Sequence, residues 1–238
     1  MRHALRHFVS EFIGTFALVF LGGLTIMMSR ALGMESGSAL LVVAAGTGIT
    51  LAVFVTALMR ISGHFNPAVT IGFLAARRLD GAMAGIYLAG QILGAVGASY
   101  LHRAVVPLAL FSGTRGGGQS ISLDVTGTQA FLLEMVVTFF LVFVVFGTAV
   151  DRHAPRVGGL AIGLTMFVGI LAIGPMTGGS LNPARSFGPA VVTGIYEAQL
   201  IFWTAPILGG ILAAVLYDQL FLRRSETPEP VDHGALQG

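Results

Sequence analysis

Five polar side chains sit inside or beside long apolar runs: Glu11, Glu134, Arg185, and the paired Asn66 and Asn182, each Asn followed by Pro-Ala as Pro67-Ala68 and Pro183-Ala184. An Asn offers one carbonyl acceptor and two N–H donors, an Arg a fixed fork of donors, and a Glu either acceptors or a proton to carry. In apolar surroundings such groups can cap helices, hold a passing polar molecule, or relay protons. Covalent and metal chemistry lack their parts. With zero Cys there is no thiolate ligand, Cys nucleophile or disulfide. His64, just before the first Asn-Pro-Ala, has no second His or carboxylate spaced to join it on a metal, and it reads as lining a vestibule. No Ser-His or His-carboxylate arrangement is on offer, so no catalytic residue, metal ligand or cofactor is expected.

The elements that position these groups are membrane helices. Of 238 residues, 55% are hydrophobic and 10% charged, where soluble domains carry about 25% charged residues; mean hydropathy is +0.85. So few charges cannot coat a core in water, and the surplus apolar surface must face lipid. The net charge is +2 and the basic residues are scattered, which excludes a nucleic-acid patch. Every basic residue is Arg and none is Lys, pointing to a GC-rich, bacterial genome.

Apolar runs predict spans at 8–29, 37–59, 81–102, 129–150, 157–175 and 200–222, each near the 20 residues a bilayer needs. Glu11 near the start of the first, with no small-residue cleavage site, argues for a retained span. Six spans put both termini on one side. Arg2, Arg6, Arg60, Arg77, Arg78, Arg152, Arg156, Arg223 and Arg224 share that side, against Arg30, Arg103 and Arg115, so the termini are expected to be cytoplasmic, in a bacterial inner membrane. The Gly-rich Ser112–Ser120 reads as a flexible part of an external loop over 111–128, and 223–238 as a disordered cytoplasmic tail.

Two further apolar segments, 67–77 and 183–192, are about ten residues long and reach only about 15 Å, half the hydrocarbon thickness. Each opens with Pro at the first helical position and Asn before it, a favoured N-cap. Non-helical backbone at membrane depth survives only in protein or beside a wet cavity. Two half-helices entering from opposite faces would therefore meet near the midplane and line one. Their N-termini would set up a positive potential there that repels cations and protons.

The chain also repeats itself. EFIGTFALVF at Glu11–Phe20 recurs as EMVVTFFLVF at Glu134–Phe143; Gly48-Ile49-Thr50 answers Gly163-Leu164-Thr165, and Gln91-Ile92-Leu93-Gly94 answers Pro206-Ile207-Leu208-Gly209. Three spans per copy force the second copy to insert inverted. The expected fold is all-α: six transmembrane helices plus two re-entrant half-helices in an inverted 3+3 repeat, with copies over 1–110 and 129–222.

Two Asn-Pro-Ala motifs within SGHFNPAVTIG and GGSLNPARSFGPA resemble the aquaporin, or major intrinsic protein, family over about residues 8–222. The resemblance implies a channel for water and small neutral solutes, assembled as a homotetramer in the lipid bilayer. It implies that Asn66 and Asn182 cap their own helices and keep their N–H₂ groups for a passing oxygen, and that Glu11 and Glu134 are buried acids holding the half-helix loops. It also implies a selectivity filter of Thr47, Ile170, Gly179 and Arg185. Because the first loop is one residue shorter than usual, counting back from Asn66 selects Gly46 in place of Thr47. A small residue and Ile where water-selective members carry an aromatic and a His imply a wide ring with one apolar wall. Glycerol, urea or un-ionised metalloid hydroxides would fit it, and the combination looks most like the nodulin-26-like branch and its bacterial relatives. Ser186 after Arg185, and Phe202-Trp203, depart from glycerol facilitators. A strictly water-selective channel and an ion-coupled transporter using the Glu pair are the alternatives.

Overall fold

The computed structural model describes residues 2–155 and 157–222; the expected tail at 223–238, with Arg223 and Arg224, and Arg156 lie outside the described residues. In chain order the helices are α1 (Arg2–Ala31), α2 (Ser36–Leu58), α3 (Pro67–Ala75), α4 (Gly81–Val105), α5 (Leu108–Gly113), α6 (Gly127–Val145), α7 (Leu160–Thr177), α8 (Pro183–Thr193) and α9 (Gln199–Tyr217). Among the described residues there is no strand. Six helices are long and apolar enough to cross a membrane, α6 and α9 being continued by one wider turn to Val150 and Leu222. They coincide with the expected spans to within a few residues, except that α1 starts at Arg2. At 30 residues it is about 45 Å long, so its polar first turns, with His3, Arg6 and His7, project beyond the hydrocarbon.

The two short helices are α3 and α8, of 9 and 11 residues. α3 stops two residues before the expected boundary. Arg77 turns left-handed at φ 59°, and the Arg78 N–H closes back on the Phe73 carbonyl at 2.9 Å, a helix stop that does not use Gly.

The halves interlock. α1 packs on α4 and α6 on α9, while α3 lies on α9 and α8 on α4, so each short helix is seated on the last span of the other half. α2 meets α7 at Gly48 and Gly163: a Cβ on Gly48 would lie 2.6 Å from the Gly163 carbonyl oxygen, and one on Gly163 would run into Gly48 and Ala52. The obstruction is backbone on both sides, so it cannot be relieved by a side-chain rotation. Gly163→Ala is expected to cost about 1–3 kcal/mol as overpacking, read as a lower Tm of the solubilised protein. Gly85→Ala, with nothing within 4 Å, should not lower Tm. Gly90 and Gly94 likewise face α1 backbone, at the Phe8 and Phe12 carbonyls, so this small-residue spacing serves packing within the chain.

Ile49 and Leu164, which hold the same place in the two copies, are 60% and 50% exposed on the outside of the bundle, where lipid or another apolar surface must cover them. Two details depart from the sequence reading. Ser112–Ser120 is packed rather than loose: Phe111, Gly116, Gly117 and Gln119 are buried, and a Cβ on Gly117 would sit 2.8 Å from the Gly23 Cα. The glycines there permit close approach to α1. And Asp218, the residue after α9, is a buried acid that the sequence reading does not single out; it pairs with Arg78 Nε at 2.6 Å.

Candidate permeation pathway

Asn66 and Asn182 stand just ahead of α3 and α8 in extended conformation, φ −156° and −153°. Pro at the next position supplies no N–H, so the first donor needing a cap is that of the Ala. Asn66 Oδ1 accepts from the Ala68 N–H at 2.9 Å, and Asn182 Oδ1 from the Ala184 and Arg185 N–H groups at 3.0 and 3.3 Å. The other end of each amide crosses to the opposite half. Asn66 Nδ2 donates to the Leu181 carbonyl, and Asn182 Nδ2 to the Phe65 carbonyl, both at 2.8 Å. One N–H of each Asn is thereby left over. The sequence reading kept both for a passing oxygen; the structure uses one to join the halves.

Phe65 and Leu181 carry these carbonyls in the left-handed region, φ 49° and 54°. That conformation costs about 1–2 kcal/mol in a residue other than Gly and is held from both sides. Their N–H groups donate to Glu11 Oε2 at 2.7 Å and Glu134 Oε2 at 2.8 Å. Glu11 further accepts from the Ser62 hydroxyl, the His64 N–H at 2.9 Å and Gln91 Nε2 at 2.7 Å. Glu134 accepts from the Thr177 hydroxyl at 2.7 Å and the Ser180 N–H at 2.8 Å. Both acids are fully buried and turned into the loops. The fourth donor on Glu11, Gln91, has Pro206 as its counterpart in the second copy, which is why the two cradles differ.

Beside the Asn pair lies a cavity of about 10 Å³ lined by Asn66, Asn182, His64 and apolar residues including Leu51, Val145 and Met166. That is the room one water needs. His64 Nδ1 is 3.1 Å from Thr70 Oγ1. On the opposite side of the bundle a basin of about 660 Å³ opens, lined by Leu40, Val43, Arg115, Gln119, Ile170 and Gly178 among others. Arg185 is 3% exposed and donates from Nη1 to the Gly179 carbonyl at 2.7 Å, while its Nη2 is buried without a protein partner. A Cβ on Gly179 would lie 3.1 Å from the Ile170 Cα. Ile170, Gly179 and Arg185 are thus brought together. Thr47 is fully buried with its hydroxyl unpaired, facing Gly22 of α1, and Gly46 packs on Thr25 of the same helix; neither is seen in contact with the other three.

A family model described as "Major intrinsic protein" matches residues 1–217. The chain belongs to the major intrinsic protein family. As a member it is a multi-pass transmembrane channel with the aquaporin fold. Similar curated proteins include "Probable aquaporin TIP3-2" of Oryza sativa subsp. japonica, 39% identical over 96% of this chain and 86% of its own. "Nodulin-26" of Glycine max is 38% identical over 90% and 77%, and "Aquaporin NIP6-1" of Arabidopsis thaliana 35% identical over 87% and 66%. Among solved structures, the aquaglyceroporin from Plasmodium falciparum superposes with a TM-score of 0.79 at 24% identity, covering 93% of this chain and 98% of that one, a likeness of fold.

In this major intrinsic protein one residue of the basin escaped the sequence reading. Gln119 packs against Gly178, where a Cβ would lie 2.9 Å from its own Cβ, and its Oε1 is buried without a protein partner. The Gly run before it gave a loop signal only; that Gly116 and Gly117 adopt φ 62° and 80° and fold the segment inward is a tertiary effect.

Proposed function

We propose that the chain is a passive channel conducting water and small uncharged solutes (glycerol, urea and un-ionised metalloid hydroxides such as boric or arsenous acid) while excluding ions and protons. The observation that carries this reading is the juxtaposition of Ile170, Gly179 and Arg185. Arg185 and the Gly179 carbonyl make a polar wall, Ile170 an apolar one, and Gly179 contributes no side chain to narrow the gap. A solute with hydroxyls on one side and carbon on the other suits such walls. The unpaired Arg185 Nη2 and the second N–H of each Asn are the donors it would meet.

Ion-coupled transport needs ionisable groups facing the path, and Glu11 and Glu134 have their oxygens engaged by loop donors. Their role is to hold the half-helix loops; His64 lines the vestibule by Asn66. No catalytic step is assigned. The reading includes inverted copies over 1–110 and 129–222 and a homotetramer covering part of the exposed apolar surface. It also includes a bacterial inner membrane with cytoplasmic termini, supported by the Arg-only basic set and by Arg2, Arg6, Arg60, Arg77, Arg78 and Arg152 at the ends shared with the N-terminus.

Stopped-flow proteoliposomes test the function. Rapid swelling in water together with uptake of glycerol, urea or arsenous acid is expected; swelling with no uptake of any of the three would reduce the protein to a water pore. In the Ile170→His channel the apolar wall of the ring becomes polar. Losing one or two favourable contacts of about 1–3 kcal/mol should cut glycerol uptake at least tenfold with water flux retained.

A further inference from the structure

We propose that His3 and His7 form a binding site for a divalent transition-metal cation, with Zn²⁺ as the probe, at the N-terminal end of α1. The two residues are one helical turn apart, and their Nε2 atoms face each other at 3.2 Å. Two Zn–N bonds of about 2.0–2.1 Å at a tetrahedral angle separate their nitrogens by about 3.4 Å, so the spacing suits the ion once the rings, whose centroids are 4.4 Å apart and tilted by 47°, turn to aim both nitrogens at it. At present one proton joins the rings; the cation takes its place when His3 moves that proton to its other nitrogen. The second ring nitrogen of His7 is engaged as a metal ligand's should be. His7 Nδ1 lies 2.7 Å from the Tyr87 hydroxyl, and the rings stack at 5.5 Å with 19° between planes. With Nδ1–H donating to Tyr87, the lone pair of His7 Nε2 points at the ion.

α1 begins beyond the hydrocarbon, so water completes the coordination sphere. Arg2 and Arg6 each precede a His by one residue, about 100° around the helix, and their charge limits the affinity. Tyr87 continues inward, edge-on to His64 at 4.9 Å, so the site is two rings from the cavity beside Asn66.

Calorimetric titration of the detergent-solubilised full chain with Zn²⁺, any affinity tag removed, decides the matter independently of permeability. One Zn²⁺ per chain is expected. His3→Ala and His7→Ala should each weaken binding at least tenfold, and Tyr87→Phe by about tenfold, the size of effect an orienting partner has. His153→Ala, whose ring pairs instead with Asp151, should bind as wild type. No binding by the wild type, equal binding by the His3→Ala and His7→Ala variants, or a loss confined to His153→Ala would each overturn the assignment.

Discussion

Glu11→Ala is expected to yield a protein that does not survive solubilisation as a monodisperse species. The substitution strips the carboxyl from the Ser62 hydroxyl, the His64 and Phe65 N–H groups and the Gln91 amide at once, all at a fully buried position. Each buried donor left without a partner costs about 1–3 kcal/mol, so three or four exceed half of a typical net stability of about 5–15 kcal/mol. Glu11→Gln should be nearly as damaging, since its N–H₂ would face donors. Glu134→Ala, with three donors orphaned rather than four, should fall between it and wild type. Size-exclusion profiles and Tm values check the order. Equal stability for Glu11→Ala and wild type would mean that water replaces the carboxyl in the loop.

The second large effect is on exclusion. Arg185→Val removes the one cation placed against Gly179. At an effective dielectric of about 20 and a distance of about 5 Å, its charge opposes a permeating cation by about 3 kcal/mol, so proton and sodium leak through liposomes should rise roughly 100-fold. Glycerol uptake should persist, because the small Gly179 and Ile170 remain. Leak at the wild-type level would assign exclusion to the half-helix N-termini alone.

Much of this was legible in the chain because it rests on local rules. Asn followed by Pro is a cap and a helix start whatever surrounds it, an apolar run of ten residues is too short to cross, and Glu11 and Glu134 are found by the repeat. What sequence spacing does not encode is contact between distant backbone atoms. The bonds from Asn66 and Asn182 to Leu181 and Phe65 join residues 115 and 117 positions apart, and nothing about an Asn announces which carbonyl it will meet. Gln91 looked like any polar residue on a span until the fold set it on Glu11 and Thr70. Glycine misled in the other direction: the run at Gly116–Gly118 has the composition of a loose loop, and its lack of side chains is what lets it lie against α1.

The crossed amides also bear on how the polypeptide is made. When the ribosome has delivered the first Asn-Pro-Ala, the Phe65 carbonyl has no amide to meet until Asn182 emerges, which at about 5–20 residues per second takes roughly 6–25 s. During that interval the nascent three-span piece must wait in the translocon or bilayer with an open seam. The reciprocal handshake between the two amides therefore closes late, after both Asn-Pro-Ala segments have been made.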